Sequence, residues 1–296
     1  MRLDRDPERP LLLDGAMGTQ LIARGLRVRE ECPEAWNLDR PDEVRSVHAG
    51  YAAVGVDAVQ TNTFGATRPR LKRFGLDDRL RPIILAAVQL AREAAPGRLV
   101  IGSLGPTGET VPLSGSGNLG WLEDAFAEST ALLAEAGVDA IHLETMFHPR
   151  ELESAVRGAQ SGAADLPVVA SITLMPGVTG LETPHGVPVA KMLKAVEASS
   201  PDGVGVNCSI EGERMLAAVE LLRQSTSLPV WAKPQAKIPQ KCVTGRPSES
   251  PEQFARHALS LARAGASAIG GCCGTGPAEL AALRQALDAA YSKVAS

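Results

Sequence analysis

Short apolar runs alternate with longer amphipathic stretches along the whole chain. Runs built mainly from Val, Ile, Leu and Ala occupy 11–13, 57–61, 99–103, 140–144, 168–172, 203–207, 230–233 and 268–271. None is longer than five residues, the size of a buried strand and too short for a helix. Between them, 43–53, 78–94, 121–136, 150–160, 189–198, 213–224 and 251–264 repeat apolar residues at helical spacing, and 277–291 follows the last run. That is the period of a helix with one buried face. Several helical stretches stop at a glycine just before the next run: Gly55, Gly97, Gly137 and Gly265. Glycine suits the left-handed residue that closes a helix. Strand–helix alternation predicts parallel strands with right-handed crossovers. Eight such units predict a (β/α)₈ TIM barrel, with an open doubly wound sheet as the alternative. With no linker, low-complexity segment or strong repeat, one domain over 1–296 is expected.

Composition narrows the picture. Hydrophobic residues make up 44% of the 296, but aromatic residues only 3%, so the core must be aliphatic. The net charge of −4 and the lack of a basic run point away from nucleic acid. The first residues, Met1-Arg2-Leu3-Asp4-Arg5-Asp6, are charged and carry no apolar leader. No apolar stretch reaches the roughly 18 residues of a membrane span. The expected location is the cytoplasm, away from membranes. Five cysteines, an odd number, fit a reducing compartment better than a disulfide framework.

A barrel puts its chemistry at the C-terminal ends of the strands. The residues there are Asp14, Thr61-Asn62-Thr63, Ser103, Glu144-Thr145, Ser171, Asn207-Cys208, Lys233 and Cys272-Cys273. Cys208 ends the sixth run and Cys272-Cys273 the eighth, so their tips flank the seventh and can share an ion. Neighbouring residues of a pleated strand point to opposite faces. Cys272 and Cys273 can therefore meet one metal only where the chain has left the pleat, which Gly270, Gly271 and Gly274 permit. Three thiolates with a vacant fourth position describe a catalytic zinc site. The plainer reading is three small buried residues, since free cysteine packs well.

Other tip residues carry similar alternatives. Asp14 and Glu144 suit an ammonium group or acid–base work; equally, Asp14 could cap the next turn and Glu144 pair with an arginine. His142 shares a face with Glu144. It could be a fourth ligand or a proton shuttle, but an interior structural histidine is the expectation. His48 and His257 fall in helical patterns and read as structural; Cys32 and Cys242 read as ordinary thiols. Lys233 at a strand tip could form a Schiff base, as in aldolases. Gly115-Ser116-Gly117-Asn118-Leu119-Gly120 spells a dinucleotide pattern. It follows a loop rather than a strand and is set aside.

Taken together, the motifs Asp14-Gly15-Ala16-Met17-Gly18-Thr19, Thr61-Asn62-Thr63-Phe64-Gly65-Ala66-Thr67, Gly105-Pro106-Thr107-Gly108-Glu109, Glu144-Thr145, Gly205-Val206-Asn207-Cys208 and Gly270 to Thr275 span nearly the whole chain. In this order they resemble the homocysteine S-methyltransferase family. That family includes betaine– and S-methylmethionine–homocysteine methyltransferases and the homocysteine module of cobalamin-dependent methionine synthase. The resemblance implies a (β/α)₈ barrel with Zn²⁺ held by Cys208, Cys272 and Cys273. It implies that Asp14 and Glu144 hold the amino group of homocysteine. Phe64, Gly65, Ala66 and Ser103 would contact the amino-acid backbone, beside Asn207. Two rim segments depart from the family pattern: Pro234-Gln235-Ala236-Lys237, and the stretch 177–187.

The expected activity is zinc-dependent methylation of the homocysteine thiol, giving methionine. The metal site itself supplies the activation, with no further catalytic residue required. The length matches the acceptor barrel alone, so the donor is S-methylmethionine, S-adenosylmethionine, betaine, or methylcobalamin on a separate protein. The motifs lean slightly toward a corrinoid partner. The rivals are a Schiff-base lyase using Lys233 and a zinc-binding protein without turnover.

Overall fold

Alternation of side chains along each strand separates two apolar populations and closes the barrel between them. The computed structural model describes residues 9–113, 119–178, 180–236 and 249–291, without the side chains of 209–213. The strands are β1 (Leu11–Leu12), β2 (Ala58–Gln60), β3 (Leu99–Leu104), β4 (Ala140–Met146), β5 (Val168–Ile172), a short hairpin of β6 (Met175–Pro176) and β7 (Leu181–Glu182), then β8 (Gly203–Glu211), β9 (Val230–Gln235) and β10 (Ala268–Ile269). The eight barrel strands run parallel in the order β1-β10-β9-β8-β5-β4-β3-β2. A parallel bridge between Leu13 and Ala58 joins the two ends of that order into a ring.

The outward residues Val59, Val100, Ile141, Ala170, Val204, Ala232 and Ile269 belong to the large core under the helices. The inward ones, Leu11, Leu13, Ala58, Ile101, Ala140, Val169, Trp231 and Ala268, form a separate plug inside the ring. Trp231 fits there because β8 contributes Gly205 at the facing position. A Cβ on Gly205 would lie 2.3 Å from Ser171 Oγ and 3.1 Å from Trp231 Cβ. Above the plug the inward positions turn polar: Gln60, His142, Ser171, Lys233 and Asn207, all buried.

The covering helices are α1 (Gly18–Ala23), α2 (Trp36–Asp39), α3 (Pro41–Val54), α4 (Arg68–Lys72), α5 (Leu80–Ala94), α6 (Gly120–Glu135), α7 (Pro149–Gly162), α8 (Val189–Ser199), α9 (Gly212–Ser225), α10 (Pro251–Arg263) and α11 (Pro277–Tyr291). All eight expected strands and all eight expected helices are present. The four glycines expected to close helices have positive φ. The expected readings of Cys242, Lys237 and most of the dinucleotide-like segment 115–120 lie outside the described residues. Three short helices and the β6–β7 hairpin have no counterpart in the apolar pattern. α1, α2 and α4 span six, four and five residues, too few for a 3.6-residue period to show. The second strand of the hairpin, β7, lies in the rim segment 177–187 that departs from the family pattern, and β6 immediately precedes it. No described helix is long and apolar enough to cross a membrane.

Candidate active site

Two local breaks in strand geometry build the site. Cys208 and Thr145 have φ of 62° and 63°, values that cost a non-glycine residue about 1–2 kcal/mol. The ladder register slips at both places, between Asn207 and Glu211 and between Leu143 and Met146. An unbroken pleat would send Cys208 outward after the inward Asn207. The left-handed turn instead brings its Sγ to 3.7 Å from Cys273 Sγ.

The paired cysteines leave the pleat as expected. β10 stops at Ile269, and the chain turns through residues 272–275. Thr275 donates to Cys272 O from both its amide (3.1 Å) and its hydroxyl (2.6 Å). Cys272 N–H donates to Pro234 O at 2.8 Å, and Cys273 O accepts from Ala236 N–H at 3.0 Å. Gly271 is required at the start of this turn, since a Cβ there would lie 2.2 Å from Thr275 Oγ1. One sulfur from each of Cys208, Cys272 and Cys273 falls within 4.8 Å of the others. Hydrogen bonds from the neighbouring thiols hold Cys272 well below the usual thiol range. Burial and the Glu34 carboxylate push the Cys32 thiol up to about 12; it stands apart, bonded to Glu34 Oε2 at 3.1 Å.

Asn207 braces both breaks. It is fully buried. Its Oδ1 accepts from Thr145 N–H at 2.8 Å, and its Nδ2 donates to Thr145 Oγ1 at 2.9 Å. Its backbone carbonyl accepts from Thr173 Oγ1 at 3.0 Å. The side chain is thus committed to the protein.

A polar network lines the barrel between plug and thiols, with Gln60 at its centre. Gln60 N–H donates to Asp14 Oδ2 at 2.7 Å, and Nε2 donates to Glu144 Oε1 at 3.0 Å. Its Oε1 accepts from Lys233 Nζ and stands 3.2 Å from His142 Nδ1. An ammonium only donates, so Gln60 must present oxygen to it, and His142 Nδ1 carries the proton. His142 Nε2 then accepts from Ser171 Oγ at 2.7 Å. Burial, then the Lys233 charge, hold this imidazole well below its ordinary range. Its ring meets Trp231 edge-on at 5.2 Å. His142 is the interior histidine expected, outside the thiol cluster. His48 is also buried, and His257 pairs with Glu249 at 3.0 Å.

Lys233 Nζ lies 3.3 Å from Asp14 Oδ1, with both side chains buried. Burial alone would lower the lysine, but Asp14, Glu144 and Cys272 raise it above its usual value. Burial pushes Asp14 and Glu144 up, against the opposing charge of Lys233. An ammonium so held is the wrong form for a Schiff base, which needs a neutral amine.

The cavity above has a volume of about 340 Å³ and is lined by all three thiols, Asp14, Glu144, Lys233, Phe64 and Ser103, among others. Ser103 Oγ donates to Glu144 Oε1. Gly65 and Ala66 sit behind this wall. Gly65 N–H already donates to Glu34 Oε1 at 2.6 Å, and Ala66 N–H to Thr63 O at 2.9 Å. Sequence reasoning missed three polar wall residues: Gln60, Glu34 and Arg70, whose guanidinium sits 4.9 Å from the Phe64 ring centre. A polar side chain inside an apolar run was a usable signal for Gln60. Glu34 and Arg70 come from short helical turns with no pattern to mark them.

Comparisons with known proteins fit this arrangement. The homocysteine S-methyltransferase family model matches residues 11–287. Methionine synthase of Mycobacterium tuberculosis is 33% identical over 299 residues, covering 94% of this chain and 24% of that protein. The chain thus spans about a quarter of the length of the curated relatives it matches. Among solved structures, the oxidized form of the homocysteine methyltransferase MmuM from Escherichia coli superposes with a TM-score of 0.78 at 27% identity, over 96% of this chain and 97% of that one. Its metallated form gives 0.76.

Proposed function

Because the chain belongs to the homocysteine S-methyltransferase family, we propose that it transfers a methyl group to the thiol of homocysteine, giving methionine. The observation that carries the reading is the convergence of three thiols on one open cavity at the carboxyl end of the barrel. The thiols suit zinc. At a Zn–S distance of about 2.3 Å, tetrahedral ligands lie about 3.8 Å apart, and Cys208 and Cys273 sulfurs are 3.7 Å apart. Cys208, Cys272 and Cys273 would hold the ion. Zinc bound there supplies Lewis-acid activation, making the substrate thiol ionise at neutral pH.

The chain's own groups do the positioning. Glu144 receives the substrate ammonium on Oε2, which has no partner among the described residues, while Ser103 and Gln60 fix Oε1. Phe64 and Ser103 wall the cavity beside the amino-acid backbone, with Gly65 and Ala66 supporting that wall from behind. Asn207 acts through Thr145, the residue next to Glu144. Asp14 acts through Lys233. Fixing the thiol, ammonium and donor in one geometry removes much of the entropy of a two-body reaction.

The proposed donor is S-methylmethionine, S-adenosylmethionine, betaine, or methylcobalamin carried by a separate protein. The proposed location is the cytoplasm, where three thiols stay reduced. The test is a donor screen: zinc-loaded protein, homocysteine and each donor in turn, with methionine measured by mass spectrometry. Methionine formation with at least one donor, lost in Cys273→Ser, is expected. No methionine with any donor would favour a zinc-binding protein without turnover.

A further inference from the structure

Asp14 and Glu144 are set up unequally for a cationic ligand. Both Asp14 oxygens are already engaged: Oδ1 faces Lys233 Nζ at 3.3 Å, and Oδ2 accepts from Gln60 N–H at 2.7 Å. Among the described residues Glu144 spends only one oxygen, Oε1, on Gln60 and Ser103. The two carboxylates and Lys233 together leave one negative charge on this wall, not two.

We infer that Lys233 is an internal ammonium ion that fills the Asp14 corner of the cavity, so that Glu144 Oε2 alone receives the ammonium of an acceptor thiol. Lys233 and Asp14 then neutralise one another as a pair, and the acceptor's ammonium meets the single charge of Glu144. Three observations support this. Lys233 is 3% exposed, so its charge cannot be shared with bulk water. Gln60 Oε1 accepts from the same Nζ, so two neighbours hold the lysine in the corner. Gln60 also donates to Glu144 from its other end, which spaces the two carboxylates apart and keeps Lys233 off Glu144 Oε2.

The consequence concerns the class of acceptor. A wall with two free carboxylates would require a cationic amine. A wall with one rewards it with a single charge-assisted contact, worth roughly 10- to 150-fold in affinity. Acceptor thiols lacking the amine are then weak ligands of the same site and not excluded ones.

This inference rests on the function proposed above. The test uses the cobalt-substituted protein and two thiols, homocysteine and γ-mercaptobutyrate, which is homocysteine without its amine. Thiol binding is read from the thiolate-to-cobalt charge-transfer band, so no donor is needed. The quantity compared is the ratio of the two dissociation constants. In Glu144→Gln the preference for homocysteine should fall at least tenfold. In the double variant Lys233→Met with Asp14→Asn, which removes the pair without leaving a lone buried charge, the ratio should stay within about threefold of wild type, whatever the absolute affinities. A collapse in the double variant as large as in Glu144→Gln overturns the inference, because the acceptor's ammonium would then displace Lys233 and bridge both carboxylates. A crystal structure of the metal-loaded wild-type protein with homocysteine decides independently of any variant. Lys233 still on Asp14, with the substrate amine on Glu144, supports the inference; an amine between the two carboxylates overturns it. If neither thiol changes the cobalt spectrum, the proposed function fails instead, and the two failures are distinct.

Discussion

The Asn207 brace can be put to a quantitative test. Asn207→Ala deletes two hydrogen bonds to Thr145, of 2.8 and 2.9 Å, at a net cost of about 1 kcal/mol each, together with a long, weak contact from Nδ2 to Cys272 Sγ at 3.9 Å. Truncating a fully buried side chain also leaves a void, adding about 1 kcal/mol if the barrel relaxes only in part. The sum is about 2–3 kcal/mol, a large part of the roughly 5–15 kcal/mol that holds a domain together. Urea unfolding followed by far-ultraviolet circular dichroism measures it. With an m-value of ~3 kcal/mol/M the midpoint should fall by about 1 M, at unchanged m. The brace also holds Thr145 at φ 63°, a conformation that glycine takes without penalty. Adding Thr145→Gly to Asn207→Ala should therefore recover about 1 kcal/mol. The homocysteine KM should rise in Asn207→Ala, because Glu144 adjoins the released residue. A midpoint within 0.2 M of wild type, or no recovery from the glycine, would refute the reasoning.

Further outcomes are expected. Cys→Ser at 208, 272 or 273 should abolish stoichiometric zinc, measured by inductively coupled plasma mass spectrometry, while Cys32→Ser and Cys242→Ser retain it; equal loss at Cys242 would redraw the ligand set. Gly205→Ala should destabilise the barrel by about 1–3 kcal/mol through overpacking, since the new methyl meets Ser171 Oγ at 2.3 Å; a neutral result by thermal melting would mean the plug is looser than described. His48, buried with both ring nitrogens unpartnered among the described residues, has its pKa lowered from 6.5 to about 4 by burial. Below pH 6.5 the unfolded chain binds that proton and the folded one does not. Stability is then full above 6.5 and declines as pH falls toward 4, by roughly 3 kcal/mol in total. His48→Leu should flatten that slope in urea titrations, and an unchanged slope would assign the acid sensitivity to other groups.

The sequence made some of this legible and hid the rest for identifiable reasons. Strands buried on both faces read as short continuous apolar runs, so the barrel could be counted from the chain. The thiols were visible because cysteine at a strand tip is chemically distinctive, and the glycines around Cys272 predicted that the chain leaves its pleat. The left-handed conformations of Cys208 and Thr145 could not be read. Neither is glycine, asparagine or aspartate, and both are imposed by partners distant in sequence. Asn207 entered as a substrate contact with the resemblance; its bonds to Thr145, 62 residues away, are tertiary and could not be read from the chain. Lys233 was visible as a strand-tip lysine, but its charge state depends on Asp14, 219 residues away. Neighbourhood along the chain gave the chemistry available and not the pairing.

The Trp231 plug has a kinetic implication. With Leu11, Leu13, Ile101 and Val169 around it, it closes the barrel below Lys233 and Gln60, so the cavity cannot be entered from that end. Under the proposed function, thiol, methyl donor and both products would share the end of the barrel opposite the plug. The acceptor reaches past the cysteines to Glu144 in the polar network below them, so it enters first and leaves last. Steady-state kinetics should accordingly be compulsory-order, with the acceptor leading. Methionine should inhibit competitively against homocysteine, and the demethylated donor should be the first product to depart.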